Sequence, residues 1–394
     1  MNAPCKPLLS PLPSRLPEVG TTIFSTMSAL AAQTGAVNLG QGFPDFGCDP
    51  ALIRGVTQAM EAGWNQYPPM PGVAALRQAI SDKIVHLHGR RYEAETEITV
   101  TAGATQALLT AILALTQPGD EVIVLDPCYD SYVPAIEMSG AVPVRVPLTR
   151  GSFRPDFAAL AAALGPKTRL LLLNTPHNPT ATVWTEQELQ QLADLLAPTD
   201  VLVLSDEVYE HMVYDGQMHV SAAHVPGLAE RGMVVSSFGK TYHVTGWKVG
   251  YVAAPAPLMQ EFRKVHQFNV FTVNTPMQHS LAAYMQNPAP YMDLSAFYQR
   301  KRDAFAQGLA RIPLRLLPCE GTYFQCVSYA DLRGPERDLG EADFCTWLTR
   351  ELGVAAIPVA AFYGDGTEQK TIRFCFAKQE TTLQAALERL ARLG

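Results

Sequence analysis

The sequence predicts an α/β protein: a mostly parallel sheet flanked by helices, joined to a smaller α/β domain. Between residues 98 and 253 short apolar runs alternate with segments of helical period. That alternation builds parallel strands linked by helical crossovers. After roughly residue 254 the texture changes to long helical stretches and then a strand-rich end. At 394 residues the chain has room for one large domain, one smaller domain and a sizeable core.

The runs Ile98–Thr101, Glu121–Leu125, Arg169–Leu173, Val201–Leu204, Met233–Ser236 and Lys248–Ala253 read as short buried strands. Between the first five lie amphipathic helices, among them Ala104–Leu115 and Thr185–Leu196. The second opens on Thr185-Glu186-Gln187-Glu188, a capping-box pattern in which Thr185 and Glu188 satisfy each other's backbone donors. Parallel sheets present ligands at the carboxyl ends of their strands, and Asn174, Asp206 and Ser237 fall at or just beyond such ends. The stretch Leu258–Met285 is helical in pattern but carries Pro276, where a kink or break is expected. A helix over Ser295–Arg311 follows. The end reads as strands at Arg315–Pro318 and Thr322–Val327, a helix at Ala342–Leu352, strands at Val354–Ile357 and Thr371–Phe376, and a helix at Thr381–Leu393. The expected organisation is an N-terminal arm contributing to the small domain (1–47), a large domain (48–290) and a small C-terminal domain (291–394).

A net charge of −7 and a pI near 5.7 argue against a dedicated nucleic-acid surface. No stretch reaches the ~18 apolar residues of a membrane span. The start, Met1 to Pro17, is proline-rich without the apolar core of a signal peptide. Seven cysteines are scattered without a CxxC pair, which suggests neither a zinc site nor a disulfide framework. A reducing cytoplasm is the expected location.

Several segments carry chemistry. Lys240 ends an apolar stretch inside Ser236-Ser237-Phe238-Gly239-Lys240-Thr241-Tyr242-His243-Val244-Thr245-Gly246-Trp247-Lys248. Alone it could be a snorkelling surface lysine. Wrapped in small and hydroxylic residues, with Lys248 nearby, it reads as an amine whose pKa is lowered for nucleophilic work. Asp206 follows an apolar strand and has Tyr209 three residues on, where the plain alternative is a turn cap. Asn174-Thr175-Pro176-His177-Asn178-Pro179 reads as a tight, rigid loop. Gly103, Ala104 and Thr105 sit between a strand and a helix, where free N–H groups bind phosphate. Arg373 is a lone arginine on an apolar strand and calls for an anion such as a carboxylate. Gly42 permits close backbone approach. Tyr129 reads equally as a core aromatic at a helix start.

In this order and spacing these segments resemble the cofactor site of fold-type I, class I/II aminotransferases, which use pyridoxal 5′-phosphate (PLP). The resemblance implies a seven-stranded sheet in the large domain. It also implies that Lys240 forms a Schiff base with the cofactor and later moves the proton. Asp206 then keeps the ring nitrogen protonated, and Tyr209 and Asn178 meet the ring hydroxyl. Gly103, Ala104, Thr105, Ser237 and Lys248 hold the phosphate, and Tyr129 stacks on the ring. Arg373, Gly42 and Asn178 receive the substrate, and Phe24, Phe43 and Tyr67 line its side-chain pocket. Tyr67, in Asn65-Gln66-Tyr67, is expected to cross to the partner's cofactor phosphate, making a homodimer. One or both prolyl bonds at Pro176 and Pro179 are expected to be cis. Ala181 stands where the family carries glycine.

The resemblance runs from about Pro17 to the C-terminus and is nearest the group of methionine and kynurenine/glutamine aminotransferases. It implies a ping-pong exchange of an amino group between a large neutral amino acid and a 2-oxo acid. Methionine is the first expected donor, because thioether–aromatic contacts are favourable. Aromatic amino acids, kynurenine and glutamine follow, since apolar pockets discriminate weakly between similar shapes. One rival reading is β-elimination on cysteine S-conjugates at the same site. A more distant one is a PLP-binding regulatory module, for which the fewer than twenty residues ahead of the match leave no winged-helix domain.

Overall fold

Short runs of valine, leucine and isoleucine become strands because both faces of the sheet they form are covered. The computed structural model describes residues 13–393, so the greater part of the proline-rich start, residues 1–12, lies outside the described residues. The central sheet has seven strands: β1 (Ile98–Thr101), β2 (Glu121–Asp126), β3 (Val142–Pro147), β4 (Thr168–Asn174), β5 (Leu202–Asp206), β6 (Gly232–Ser237) and β7 (Gly250–Ala253). Their order is β1-β7-β6-β5-β4-β2-β3. All neighbours are parallel except β7, which runs antiparallel to both β1 and β6. Alternate residues serve alternate cores. Val122, Val124, Leu170, Leu172, Leu204 and Val235 pack with Leu108, Ala111 and Ile112 of the helix Ala104–Leu115. Ile123, Leu125, Leu171, Leu173, Val203 and Val234 pack on the opposite side with Leu189, Leu192 and Leu196.

The strand β3 has no counterpart in the sequence reading. It is an edge strand with Pro143 and Pro147, and only Val146 in it is fully buried. Proline is tolerated at an edge, where one side of the backbone needs no partner, and a half-exposed strand lacks the apolar run that marks the others. The capping box at Thr185 and Glu188 is formed as expected.

Beyond β7 the helical stretch is two helices, Ala256–Asn269 and Thr275–Tyr284. The break lies ahead of Pro276 rather than at it. Pro276 occupies the first turn of the second helix, where its missing N–H costs nothing, and Asn274 caps that helix by accepting from Met277 N at 3.1 Å. A second sheet contains β8 (Arg315–Leu316), β9 (Phe324–Ser328), β10 (Ile357–Pro358) and β11 (Thr371–Cys375), antiparallel in the order β10-β11-β9-β8. It packs on Phe305, Leu309, Phe344 and Leu390. The expected single strand over Val354–Ile357 is split. Val354–Ala355 pairs in parallel with Val37–Asn38, bringing the N-terminal segment back, whereas Ile357–Pro358 joins β11. The helix expected over Ala342–Leu352 is α-helical through Trp347 and π-helical from Leu348. Among the described residues no helix is long and apolar enough to cross a membrane.

Candidate active site

Because β1, β4, β5 and β6 are mutually parallel, their carboxyl ends lie along one edge of the sheet. Asn174 and Asp206 end β4 and β5 as register partners, and Ser237 ends β6 opposite Gly250 at the start of β7. Lys248, two residues ahead of β7, is thereby returned to the same edge. A cavity of about 330 Å³ opens there. It is lined by every site residue named from the sequence except Tyr67: Phe24, Gly42, Phe43, Gly103, Ala104, Thr105, Tyr129, Asn178, Asp206, Tyr209, Ser237, Lys240, Lys248 and Arg373.

Lys240 stands on a short helix, Phe238–Thr241, that leaves β6 directly; Ser237 Oγ accepts from Gly239 N at its start. The Lys240 amine donates to the Tyr323 hydroxyl at 2.8 Å and to the Gly42 carbonyl at 3.2 Å. Burial lowers its pKa to about 8, with Arg373 and Lys248 pushing the same way and Asp206 and Cys375 opposing. Both protonation forms are therefore populated near neutrality.

Asp206 is buried. One carboxylate oxygen accepts from the Tyr132 hydroxyl at 2.7 Å and the other from Val208 N at 3.3 Å. Desolvation raises its pKa to about 6 against the pull of those two donors. The Asn174 amide group donates to the Asp206 carbonyl at 2.9 Å and accepts from Asn178 N at 2.8 Å, tying the loop to both strand ends. Thr175–Pro176 and Asn178–Pro179 are both cis, as is Asp126–Pro127 just before Tyr129. Ala181 takes a left-handed φ of 63°, the conformation a glycine would adopt freely.

At the end of the cavity nearest β1, the helix Ala104–Leu115 begins with Gly103 at φ 79° and no side chain caps it. A Cβ on Gly103 would lie 3.3 Å from Lys248 Nζ. Glycine, exposed helix N–H groups and a lysine thus converge on one spot. At the other end Arg373, on β11, is 1% exposed. Its guanidinium donates to Asn178 Oδ1 and, at 3.4 Å, to the Gly40 carbonyl, and its Nε has no partner among the described residues. Phe324 covers it at 3.8 Å from the ring centroid, with Phe362 at 5.0 Å and Phe24 at 5.5 Å. A Cβ on Gly42 would come within 2.8 Å of Phe324, so at this position the aromatic ring dictates glycine.

Tyr67 does not reach this cavity in its own chain. It is 81% exposed and packs edge-on against Phe271. Nothing local in the sequence marks Tyr132 or Tyr323 as a site residue, although Tyr132 follows Tyr129 by three residues at a helix start and Tyr323 sits in Gly321-Thr322-Tyr323-Phe324. In both places a buried tyrosine has the same sequence signature as a core aromatic.

The sequence profile of aminotransferase classes I and II matches residues 34–390. The chain belongs to that family. It is 51% identical over 381 residues to a methionine aminotransferase of Escherichia coli (strain K12), covering 96% of this chain and 98% of the relative. It is 36% identical over 402 residues to the mouse kynurenine–oxoglutarate transaminase 3, covering 95% and 88%. A solved E. coli structure reported with a methionine aminotransferase function superposes with a TM-score of 0.95 at 51% identity, over 98% of this chain and all of that one. The N-succinyldiaminopimelate aminotransferase structure of Mycobacterium tuberculosis superposes with 0.92 at 40% identity, again over 98% and all.

This aminotransferase therefore has the fold-type I architecture and uses PLP, and its residues fit that cofactor. The uncapped helix start beside Lys248 suits a phosphate, and the buried Asp206 carboxylate, without a counter-cation in hydrogen-bond contact among the described residues, suits a protonated ring nitrogen.

Proposed function

We propose that this aminotransferase takes its amino group preferentially from methionine, with aromatic amino acids and kynurenine as further donors, and passes it to a 2-oxo acid. The observation that carries this reading is the setting of Arg373. It is the only arginine lining the cavity among the described residues, its Nε is unpartnered, and aromatic rings surround it. One guanidinium suits the α-carboxylate common to all amino acids. No second arginine of the same chain lines the cavity among the described residues, so within one chain a dicarboxylate side chain finds no matching pair. The aromatic walls of Phe24 and Phe43 suit a thioether or a ring. The name of the 51%-identical relative supports the same donor.

When bound, PLP supplies a carbonyl carbon that exchanges amines and a cationic ring that withdraws electrons from the substrate. The residues divide the remaining work. Gly103, Ala104, Thr105, Ser237 and Lys248 would hold the phosphate, Tyr129 would lie on the ring face, and Tyr209 and Asn178 would meet its hydroxyl. Asp206 would hold a proton at the ring nitrogen. Arg373, Asn178 and Gly42 orient the substrate carboxylate, while Phe24 and Phe43 exclude water from its side chain. The Lys240 amine, with a pKa near 8, carries a proton to or from the substrate carbon.

The exposed Tyr67 supports a homodimer in which it completes the partner's phosphate site. The exposed Trp64 lies near Tyr67 along the chain and the exposed Phe268 near Phe271, and both add apolar surface for that contact. The six described cysteines are free, which is compatible with a cytoplasmic location.

The test is an absorbance spectrum before and after adding L-methionine with no oxo acid present. A cofactor band near the visible edge that methionine shifts to shorter wavelength supports the reading. A band that methionine leaves unchanged but aspartate shifts overturns the donor preference.

A further inference from the structure

Tyr323 does not line the cavity, yet it touches the amine that does. The residue is fully buried. Its hydroxyl accepts from Lys240 Nζ at 2.8 Å and donates to the Gly42 carbonyl, which also accepts from Lys240 at 3.2 Å. The three groups close a triangle. The ring is wedged edge-on between Tyr209, at 5.1 Å between centroids, and Phe324, at 4.9 Å. Gly42 in turn sits two residues beyond Gly40, whose carbonyl accepts from Arg373. The short loop Gly40–Gly42 thus accepts from the amine at one end and from the guanidinium at the other.

We propose that Tyr323 is a positioning residue for this reaction: its hydroxyl holds the Lys240 amine beside the cavity and ties it to the Gly42 carbonyl. The proposal rests on the assignment of Lys240 made above. A lysine side chain has many rotamers to lose, and a free amine that must meet one substrate carbon gains from a fixed neighbour. The tyrosine is suited to holding rather than to proton abstraction, because burial keeps its hydroxyl protonated far above neutrality. An oxygen that accepts from the ammonium also favours the charged form. Its removal lowers the pH at which Lys240 loses its proton.

The experiment uses Tyr323→Phe, which keeps the ring packing and deletes the oxygen. In the cofactor-free protein, the pH dependence of Lys240 acylation by acetic anhydride is followed by peptide mass spectrometry. The expected result is a midpoint lowered by half a unit to one unit, about a three- to tenfold change in the protonation ratio. In the PLP-loaded enzyme kcat falls about tenfold while KM for methionine stays within twofold. An unmoved midpoint overturns the proposal, whether or not kcat or thermal stability falls, since lost packing alone would leave the amine's titration where it was. If the phenylalanine variant does not fold, Tyr323→3-fluorotyrosine keeps the shape and weakens the acceptor. A smaller shift in the same direction supports the proposal, and none overturns it. Failure of the Lys240 assignment is read separately, as wild-type turnover in Lys240→Ala.

Discussion

The Tyr132 hydroxyl donates to the Asp206 carboxylate over 2.7 Å, with both side chains buried at the end of β5. That one bond offsets part of the desolvation that holds the Asp206 pKa at about 6. Tyr132→Phe removes the donor and keeps the ring. In the cofactor-free protein Asp206 then keeps its proton to higher pH, and the midpoint of its carboxyl titration, followed by infrared difference spectroscopy, moves upward. A midpoint that stays in place would show that the Tyr132 hydroxyl does not help set it.

The same group links pH to stability. The folded pKa of about 6 lies above the ordinary 3.8, so between those values the folded state binds the proton more tightly than the unfolded chain. The relative stability this confers is full below the ordinary pKa and is lost as pH rises through 6. At neutral pH the native protein bears a buried charge that costs up to about 3 kcal/mol, at 1.36 kcal/mol per pKa unit. Asp206→Asn is therefore expected to stabilise the cofactor-free protein at pH 7.5 while abolishing turnover, with the gain shrinking towards pH 4. Urea unfolding of both proteins across that range measures it; a gain independent of pH refutes the assignment of cause.

Gly42 faces Phe324, and Phe324 covers Arg373. A methyl at position 42 would lie 2.8 Å from the Phe324 ring, which sits 3.8 Å from the guanidinium. Gly42→Ala must displace that ring at about 1–3 kcal/mol. KM for the amino acid is expected to rise about tenfold, since 1.36 kcal/mol is a factor of ten. The bound-cofactor spectrum should stay as in the wild type. A variant that loses the cofactor instead would place the damage elsewhere.

Tyr67 is tested by complementation. Lys240→Ala and Tyr67→Ala chains, each weakly active alone, are co-expressed. If Tyr67 acts across a dimer interface, the mixed dimer contains one site with both residues intact, and activity returns. If it acts within its own chain, no intact site exists and activity stays low.

Behind Ser237 lies a buried charge network. Glu210 accepts from Lys83 at 2.7 Å, from the Tyr251 hydroxyl at 3.3 Å and from Ser236. Lys83→Met strands the carboxylate without its cation, a change that costs about 3–5 kcal/mol. Chemical denaturation should show that loss, and adding Glu210→Gln should recover much of it. No recovery in the double variant would mean that packing around Lys83, not charge, carries the cost.

Local order was legible in the sequence wherever it follows from neighbours along the chain. The apolar runs at β2, β4, β5 and β6, the Thr185–Glu188 cap and the strand-end positions of Asn174, Asp206 and Ser237 all rest on period and turn chemistry, which short segments carry in full. The tertiary structure decided what depends on pairing between distant segments. An edge strand such as Val142–Pro147 is marked only by its partner β2. Whether Pro276 breaks a helix or begins one depends on where Asn274 can cap. Tyr132 and Tyr323 resemble core aromatics until folding sets one against Asp206 and the other against Lys240. A hydroxyl's partner is chosen by three-dimensional proximity, and a sequence records only the residue that bears it.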